Sequence, residues 1–151
     1  MILGKSYVTE IDVPFDEIDE GGVVYHAHFL TLCDRVRNRV LRKIELDYAH
    51  QFENDVVFAV AECHAHYYKP VRMGENHVIT RLLSGSRSSL VVRQAILKDR
   101  PESVEIEAVQ DEIGTIEGSL FMANFHLVAV SIRHNMQVVP IPPKTRKVLG
   151  V

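Results

Sequence analysis

One stretch of helical period constrains the fold more than any other feature of the sequence. Between residues 27 and 45, apolar side chains recur at steps of three and four and so share one face of a helix: Phe29, Leu32, Cys33, Val36, Val40 and Ile44. At ~1.5 Å per residue this helix would be ~28 Å long, enough to cross a small domain. The rest of the chain must therefore form a layer that covers a single long helix.

Strand-like segments stand on both sides of this helix. Apolar and polar residues alternate over residues 6–13, and segments rich in Val, Phe and Tyr predict further strands at 56–70, 76–83, 89–98, 116–132 and 137–139. Consecutive strands with short connections favour an antiparallel sheet with the helix on one of its faces. The fold class expected is α+β, in a single domain over 1–151. The acid-rich residues 99–117 are expected to form a solvated loop or a hairpin tip, and 144–147 a last helical turn.

Composition excludes several classes of protein. Hydrophobic residues make up 46% and charged residues 25% of the chain, and the formal net charge is −3. The charge gives no general attraction to nucleic acid, and no apolar run approaches the ~20 residues needed to span a bilayer. Cys33 and Cys63 match no zinc spacing and are too few for a disulfide scaffold. We expect a cytoplasmic protein with reduced cysteines and neither a nucleic-acid partner nor a stable membrane insertion.

The loop before the helix contains an acid and two glycines, Asp19-Glu20-Gly21-Gly22. The first N–H groups of a helix are unpaired and carry positive potential, and glycines upstream allow another molecule to approach them. Such a site can hold the oxygen of a polarised carbonyl, while the carboxylate attacks the carbon or deprotonates water. This pattern is typical of acyl transfer. The alternative is that Asp19 caps the helix and the glycines only make a turn.

Four segments carry a resemblance to a known family. Residues 15–30 (FDEIDEGGVVYHAHFL) resemble the signature of the 4-hydroxybenzoyl-CoA thioesterase family, especially the small acyl-CoA thioesterases of bacterial Tol–Pal gene clusters. Residues 67–75 (YYKPVRMGE), 87–90 (RSSL) and 138–142 (VVPIP) resemble its later motifs, in the same order. The resemblance implies a hot-dog fold, in which a curved antiparallel sheet of five or six strands wraps one long central helix. It also implies a homodimer or homotetramer.

The same resemblance implies a set of site residues. The family's catalytic carboxylate falls on Asp19, as nucleophile or general base, and its oxyanion donor falls on a backbone N–H near Tyr25 or His26. The side chains implied for holding the CoA portion are Arg87, Ser88 and Arg72. The expected activity is hydrolysis of a short-chain or aromatic acyl-CoA, 4-hydroxybenzoyl-like or dihydroxynaphthoyl-like, to the free acid and CoA. No metal or separate cofactor is expected, because CoA is part of the substrate.

Three positions depart from the family pattern. Glu17 stands where the family's first aspartate is usual, Ile18 replaces a threonine, and Phe29 stands where tyrosine is usual. None of these changes removes the expected carboxylate. They predict a more apolar acyl pocket and leave the acyl group open.

The same sequence features are compatible with other functions. A hot-dog protein could bind acyl-CoA without turnover, or could hydrate an enoyl thioester, although Asp19 and His26 match neither usual hydratase signature. The His26 side chain could orient water or simply bond a nearby backbone group. His64 and His66 alternate on one strand and so share a face with Glu62; together with His26 and His28 they could form a zinc site, although no contiguous zinc motif is present.

Overall fold

The computed structural model describes residues 1–101 and 116–151 of the chain. In these ranges the strands are β1 (Ser6–Val13), β2 (Val57–Tyr67), β3 (Gly74–Gly85), β4 (Ser89–Leu97), β5 (Ser119–Ser131) and β6 (Gln137–Val138). The helices are α1 (His28–Lys43), α2 (Tyr48–Glu53) and α3 (Pro143–Leu149). Each strand and helix expected from the sequence is confirmed to within a few residues, and α2 is an addition. Most of the acid-rich stretch at 99–117 lies outside the described residues.

The strands form one antiparallel sheet in the order β1-β3-β4-β5-β2, with β6 paired to the end of β5. Successive side chains on a strand point to opposite faces, so the sheet has two chemically different surfaces. The inner surface contributes apolar residues such as Val78, Val92 and Phe125 to the main core. The outer surface carries polar residues beside a smaller apolar cluster that includes Ile79 and Met122.

Helix α1 packs on the inner surface through the face that the sequence predicts. Phe29, Leu32, Cys33, Val36 and Val40 are each at most 4% exposed. Burial raises the pKa of the Cys33 thiol to about 12, so the residue is a neutral core side chain at physiological pH. The long helix therefore lies in the core, and the loop that precedes it is held at the edge of the sheet.

A polar network crosses the otherwise apolar contact between α1 and the sheet. The buried Arg37 guanidinium donates to Gln94 Oε1 on β4 (2.9 Å) and to Asp34 Oδ1 (2.6 Å). Gln94 in turn donates to the Cys33 carbonyl (2.9 Å) and to Thr80 Oγ1 on β3 (3.0 Å). Buried polar groups without partners are costly, and Arg37 and Gln94 find partners both across the helix–sheet boundary and within their own layer. Asp34 thus has an ion-paired role in the structure.

Candidate active site

Asp19 organises a tight turn ahead of α1. Its N–H donates to the Val23 carbonyl (2.8 Å), and its own carbonyl accepts from Gly22, whose φ of +75° suits glycine. Asp19 Oδ1 accepts from the N–H groups of Gly21 (2.8 Å) and Val23 (3.4 Å). The helix begins at His28, after an Ala27 cap that makes no side-chain hydrogen bond. The alternative that Asp19 caps the helix is therefore wrong, because this carboxylate stabilises its own loop.

Asp19, whose second carboxylate oxygen is Oδ2, lines an open cleft of about 390 Å³. Among the described residues no protein group donates to this Oδ2 atom, and the side chain is exposed. The cleft is also lined by Val23, His26, Phe29, Tyr67 and Lys69. One oxygen of Asp19 thus holds the loop, and the other has no protein donor among the described residues.

The backbone amides at the start of α1 are not equivalent. Tyr25 N–H donates to the Glu17 carbonyl (3.2 Å) and is occupied. The next amide, His26 N–H, has no acceptor within residues 1–101 and 116–151. His28 N–H donates to the Tyr25 carbonyl (2.8 Å), which fixes the plane of the Tyr25–His26 peptide and polarises it. Of the two amides predicted as oxyanion donors, the one available to a ligand belongs to His26.

Tyr67, at the end of β2, holds the helix start from the opposite wall of the cleft. Its hydroxyl donates to the His26 carbonyl (3.1 Å), and its ring contacts Phe29 and Phe121 at centroid distances of 5.1 and 5.0 Å. Burial, followed by the nearby thiols, raises the pKa of the Tyr67 hydroxyl, so it stays a protonated donor at neutral pH. Tyr67 is therefore a positioning residue for the backbone at His26.

The two histidines of the loop have different surroundings. The His26 ring is exposed and tilts against the Tyr25 ring at 4.2 Å, and it makes no hydrogen bond to any described residue. His28 Nδ1 lies 3.3 Å from the Glu17 carbonyl. Glu17 itself is buried and pairs with Arg35 of α1. The backbone contact that the sequence left open for His26 is made by His28, and the His26 ring is free.

The three residues predicted to hold CoA do not line this cleft. Arg87 and Ser88 lie in the turn between β3 and β4, where their carbonyls accept from Ile141 and Ala129 (both 2.8 Å). Arg72 lies closer to the cleft: one of its guanidinium nitrogens is 4.0 Å from the point where a Cβ atom on Gly22 would be.

Lys69 is a basic side chain that lines the cleft itself. Lys69 and Tyr67 were not predicted as site residues. Both belong to the YYKP motif, which is the sequence feature that could have identified them.

The histidines considered for zinc do not assemble into one site. His64 Nε2 lies 3.6 Å from Glu62 Oε2, and both side chains are exposed. His66 stacks on Tyr68 at a centroid distance of 6.0 Å. In the part of the chain that the structure describes, neither joins His26 or His28 in a group of three ligand atoms.

A serine, a histidine and an aspartate also meet at the far end of β5, but in a different order from a catalytic triad. The Ser131 hydroxyl lies 2.5 Å from Asp55 Oδ2 and 2.8 Å from His134 Nδ1, so it stands between the other two. A triad requires the imidazole between serine and carboxylate. Ser131 is 2% exposed, and the cluster stabilises the turn into β6.

Comparisons with known proteins place the chain in a family. Residues 13–149 match the family model described as the thioesterase-like superfamily. The acyl-CoA thioester hydrolase YbgC of Escherichia coli is 31% identical over 88 residues, which cover 58% of this chain and 66% of that protein.

Solved structures share the fold over nearly the whole chain. A 1,4-dihydroxy-2-naphthoyl-CoA thioesterase from Synechocystis superposes with a TM-score of 0.75 at 18% identity, covering 97% of this chain and 96% of the other. A Staphylococcus aureus protein solved in complex with CoA gives a TM-score of 0.76 at 13% identity, covering 99% and 85%. The expected hot-dog fold is confirmed by these likenesses. None of the described helices is long and apolar enough to cross a membrane.

Proposed function

Because this chain belongs to the thioesterase-like superfamily, we propose that it is an acyl-CoA thioester hydrolase with its active site in the cleft between α1 and β2. The observation that carries the proposal is that Asp19 and His26 line the same cleft, one with a free carboxylate oxygen and the other with a free amide. The relative named as an acyl-CoA thioester hydrolase supports this activity. The motif at residues 15–30 supports placement in the 4-hydroxybenzoyl-CoA thioesterase family, near the Tol–Pal branch.

In the proposed reaction the thioester carbonyl oxygen accepts a hydrogen bond from His26 N–H. An amide aimed at a developing oxyanion typically lowers the barrier by ~3–4 kcal/mol. Asp19 Oδ2 either takes a proton from the attacking water or attacks the carbonyl carbon and is later released by water. In both routes the C–S bond breaks, CoA leaves as the thiol and the acyl group leaves as a carboxylic acid. The reaction uses no metal ion or separate cofactor.

The side chains that line the cleft favour two classes of acyl group. The half-exposed Tyr67 and the mostly buried Phe29 line the cleft with aromatic rings, which suits a short aliphatic or an aromatic acyl chain. Lys69 places a cation at the cleft for the phosphates of CoA, with Arg72 near the glycine turn as a second one. This assignment replaces Arg87 and Ser88 as the first choice within a single chain.

A panel of acyl-CoA substrates tests the proposed function. Release of free CoA is followed with a thiol-reactive dye for acetyl, hexanoyl, benzoyl, 4-hydroxybenzoyl and dihydroxynaphthoyl thioesters. We expect turnover of at least one short or aromatic member. Saturable binding of acyl-CoA without thiol release would support a binding protein instead, and hydration of an enoyl-CoA without thiol release would support a hydratase.

We also propose a homodimer or homotetramer built on the edge of β2. Within the described residues, the 11-residue β2 pairs with β5 on one side and with no strand on the other. Val60 and Tyr67 on this strand are about half exposed. A long edge strand is a template for pairing, and a second copy would extend the sheet and cover it. Light scattering on purified protein distinguishes the oligomers from a monomer.

Tyr67→Phe is expected to lower kcat about 5- to 10-fold with little change in KM. The ring contacts stay, and one hydrogen bond to the His26 carbonyl, worth about 1 kcal/mol, is lost. Steady-state kinetics with the best substrate of the panel measures the effect. Tyr7→Phe is the matched control, because its hydroxyl accepts from Ile2 N–H (3.3 Å) away from the cleft. Equal kcat in Tyr67→Phe and wild type would rule out the positioning role.

A further inference from the structure

A second group of ionisable side chains lies on the outer surface of the sheet, where β1 pairs with β3. Glu10 is directly opposite His77, and Asp12 is directly opposite Glu75. Ile11, between the two acids of β1, points to the core on the other surface, so these four side chains share one face. Like charges directly opposite one another weaken a strand pair. The arrangement therefore favours a cation at this position.

His77 is oriented as metal-binding histidines are. The residue is 5% exposed, and its Nδ1 lies 3.3 Å from the Lys98 carbonyl. A carbonyl can only accept, so Nδ1 carries a proton, and in the neutral ring the lone pair is on Nε2. Nε2 lies 3.8 Å from Glu75 Oε1, beyond hydrogen-bond distance. A buried ring held at one nitrogen by a backbone carbonyl, with the other nitrogen facing carboxylates, is the usual environment of an imidazole ligand.

The donor atoms are somewhat farther apart than the ligands of a bound zinc ion. One ligand atom each from Glu10, Glu75 and His77 lies within 4.8 Å of the other two. Tetrahedral zinc, with bonds of about 2.0–2.1 Å, needs donors about 3.4 Å apart. The two glutamate side chains are exposed, so a change of rotamer can bring their carboxylate oxygens closer to His77.

Among the described residues, no lysine or arginine neutralises the carboxylates of Glu10 and Glu75. Lys98 Nζ donates to the main-chain carbonyl of Glu75 (2.5 Å) and leaves the carboxylate free. In residues 1–101 and 116–151, neither Glu10 nor Glu75 forms an ion pair with a lysine or arginine. Two uncompensated carboxylates together with a neutral imidazole match the charge of a divalent ion.

We propose that Glu10, Glu75 and His77 bind a divalent transition-metal ion of the zinc class, with water in the fourth position. The ion would join the edge strand β1 to β3 and so stabilise the end of the sheet. None of the three residues lines the cleft at Asp19. The site is thus independent of the proposed hydrolysis, and its function is structural.

Zinc titration of tag-free protein tests the site. After treatment with EDTA and dialysis, calorimetry with ZnCl₂ is expected to show one saturable equivalent, and one equivalent is expected to raise the Tm by several degrees. Glu75→Gln and Glu10→Gln are each expected to weaken binding at least tenfold and to remove the Tm increase. Because both residues are exposed and the changes remove repulsion, the metal-free Tm should stay equal or rise.

Glu62→Gln is the matched control, since it removes an exposed glutamate that lies beside His64 on another strand. This variant should bind zinc as the wild type does. No saturable binding by the wild type, or unchanged affinity in Glu75→Gln and Glu10→Gln, would overturn the proposal. Loss of binding in Glu62→Gln would do the same, because it would place the ion at β2.

Discussion

Asp19→Asn is expected to lower kcat for acyl-CoA hydrolysis by about 10²–10⁴-fold while the fold and acyl-CoA binding persist. Asparagine retains an Oδ1 that can accept from Gly21 and Val23, so the turn is preserved. The second oxygen, which has no protein donor among the described residues, is replaced by an NH₂ group that can neither take a proton from water nor attack a carbonyl. The dye assay for free CoA measures turnover, and calorimetry with a non-hydrolysable acyl-CoA analogue measures binding.

Glu20→Gln is the control for this experiment. Glu20 is the neighbouring exposed acid, and it does not line the cleft. Its amide variant removes the same charge from the same loop and should retain wild-type turnover. If Asp19→Asn kept more than a tenth of the activity, the role of Asp19 would be wrong even though the protein remained a thioesterase.

Phe121→Ala is expected to have the largest effect on stability, with a loss of about 3–5 kcal/mol in the free energy of unfolding. Phe121 is 0% exposed and lies beneath both Phe29 (5.1 Å) and Tyr67 (5.0 Å). Truncation removes the contacts of a whole ring and leaves a cavity under the cleft. Urea unfolding followed by circular dichroism measures the change, and thiol release should fall with it because the cleft wall loses its support.

Phe121→Leu separates the effect of the cavity from the loss of the aromatic ring, and Phe52→Ala is a surface control. Phe121→Leu fills most of the space and should cost about 1–2 kcal/mol. Phe52→Ala, at an exposed phenylalanine of α2, should change stability by less than about 0.5 kcal/mol. A cost for Phe121→Ala below that for Phe121→Leu would show that the aromatic group is not a packing centre.

The regular elements could be predicted because burial imposes a period on the sequence. The apolar face of α1 repeats every three or four residues, and this pattern survives wherever the helix packs on a sheet. The six-residue α2 is too short to show such a period. Its one local signal is Asp47, whose Oδ1 accepts from His50 N–H (3.2 Å) as a helix cap.

The candidate site was predictable only where its contacts are local. The turn at Asp19 and the glycines could be predicted because its hydrogen bonds span at most four residues. The choice of Asp19 as the site carboxylate came from the resemblance of residues 15–30 to a known family. The contact between Tyr67 and His26 joins residues 41 positions apart, and it depends on where the end of β2 meets the helix start. Sequence spacing carries no information on that meeting. For the same reason it could not separate Lys69, at the cleft, from Arg87, in the turn between β3 and β4.

The polar network of Arg37 and Gln94 has a consequence for the cleft at the other end of α1. An apolar helix face tolerates sliding, because one methyl group can replace another at modest cost. A shift by one turn, about 5.4 Å, would break the two hydrogen bonds that join α1 to Gln94, one from the Arg37 guanidinium and one to the Cys33 carbonyl. The network therefore fixes the position of α1 along its axis and its rotation about that axis. Both determine the direction of the His26 amide, which lies just before the helix.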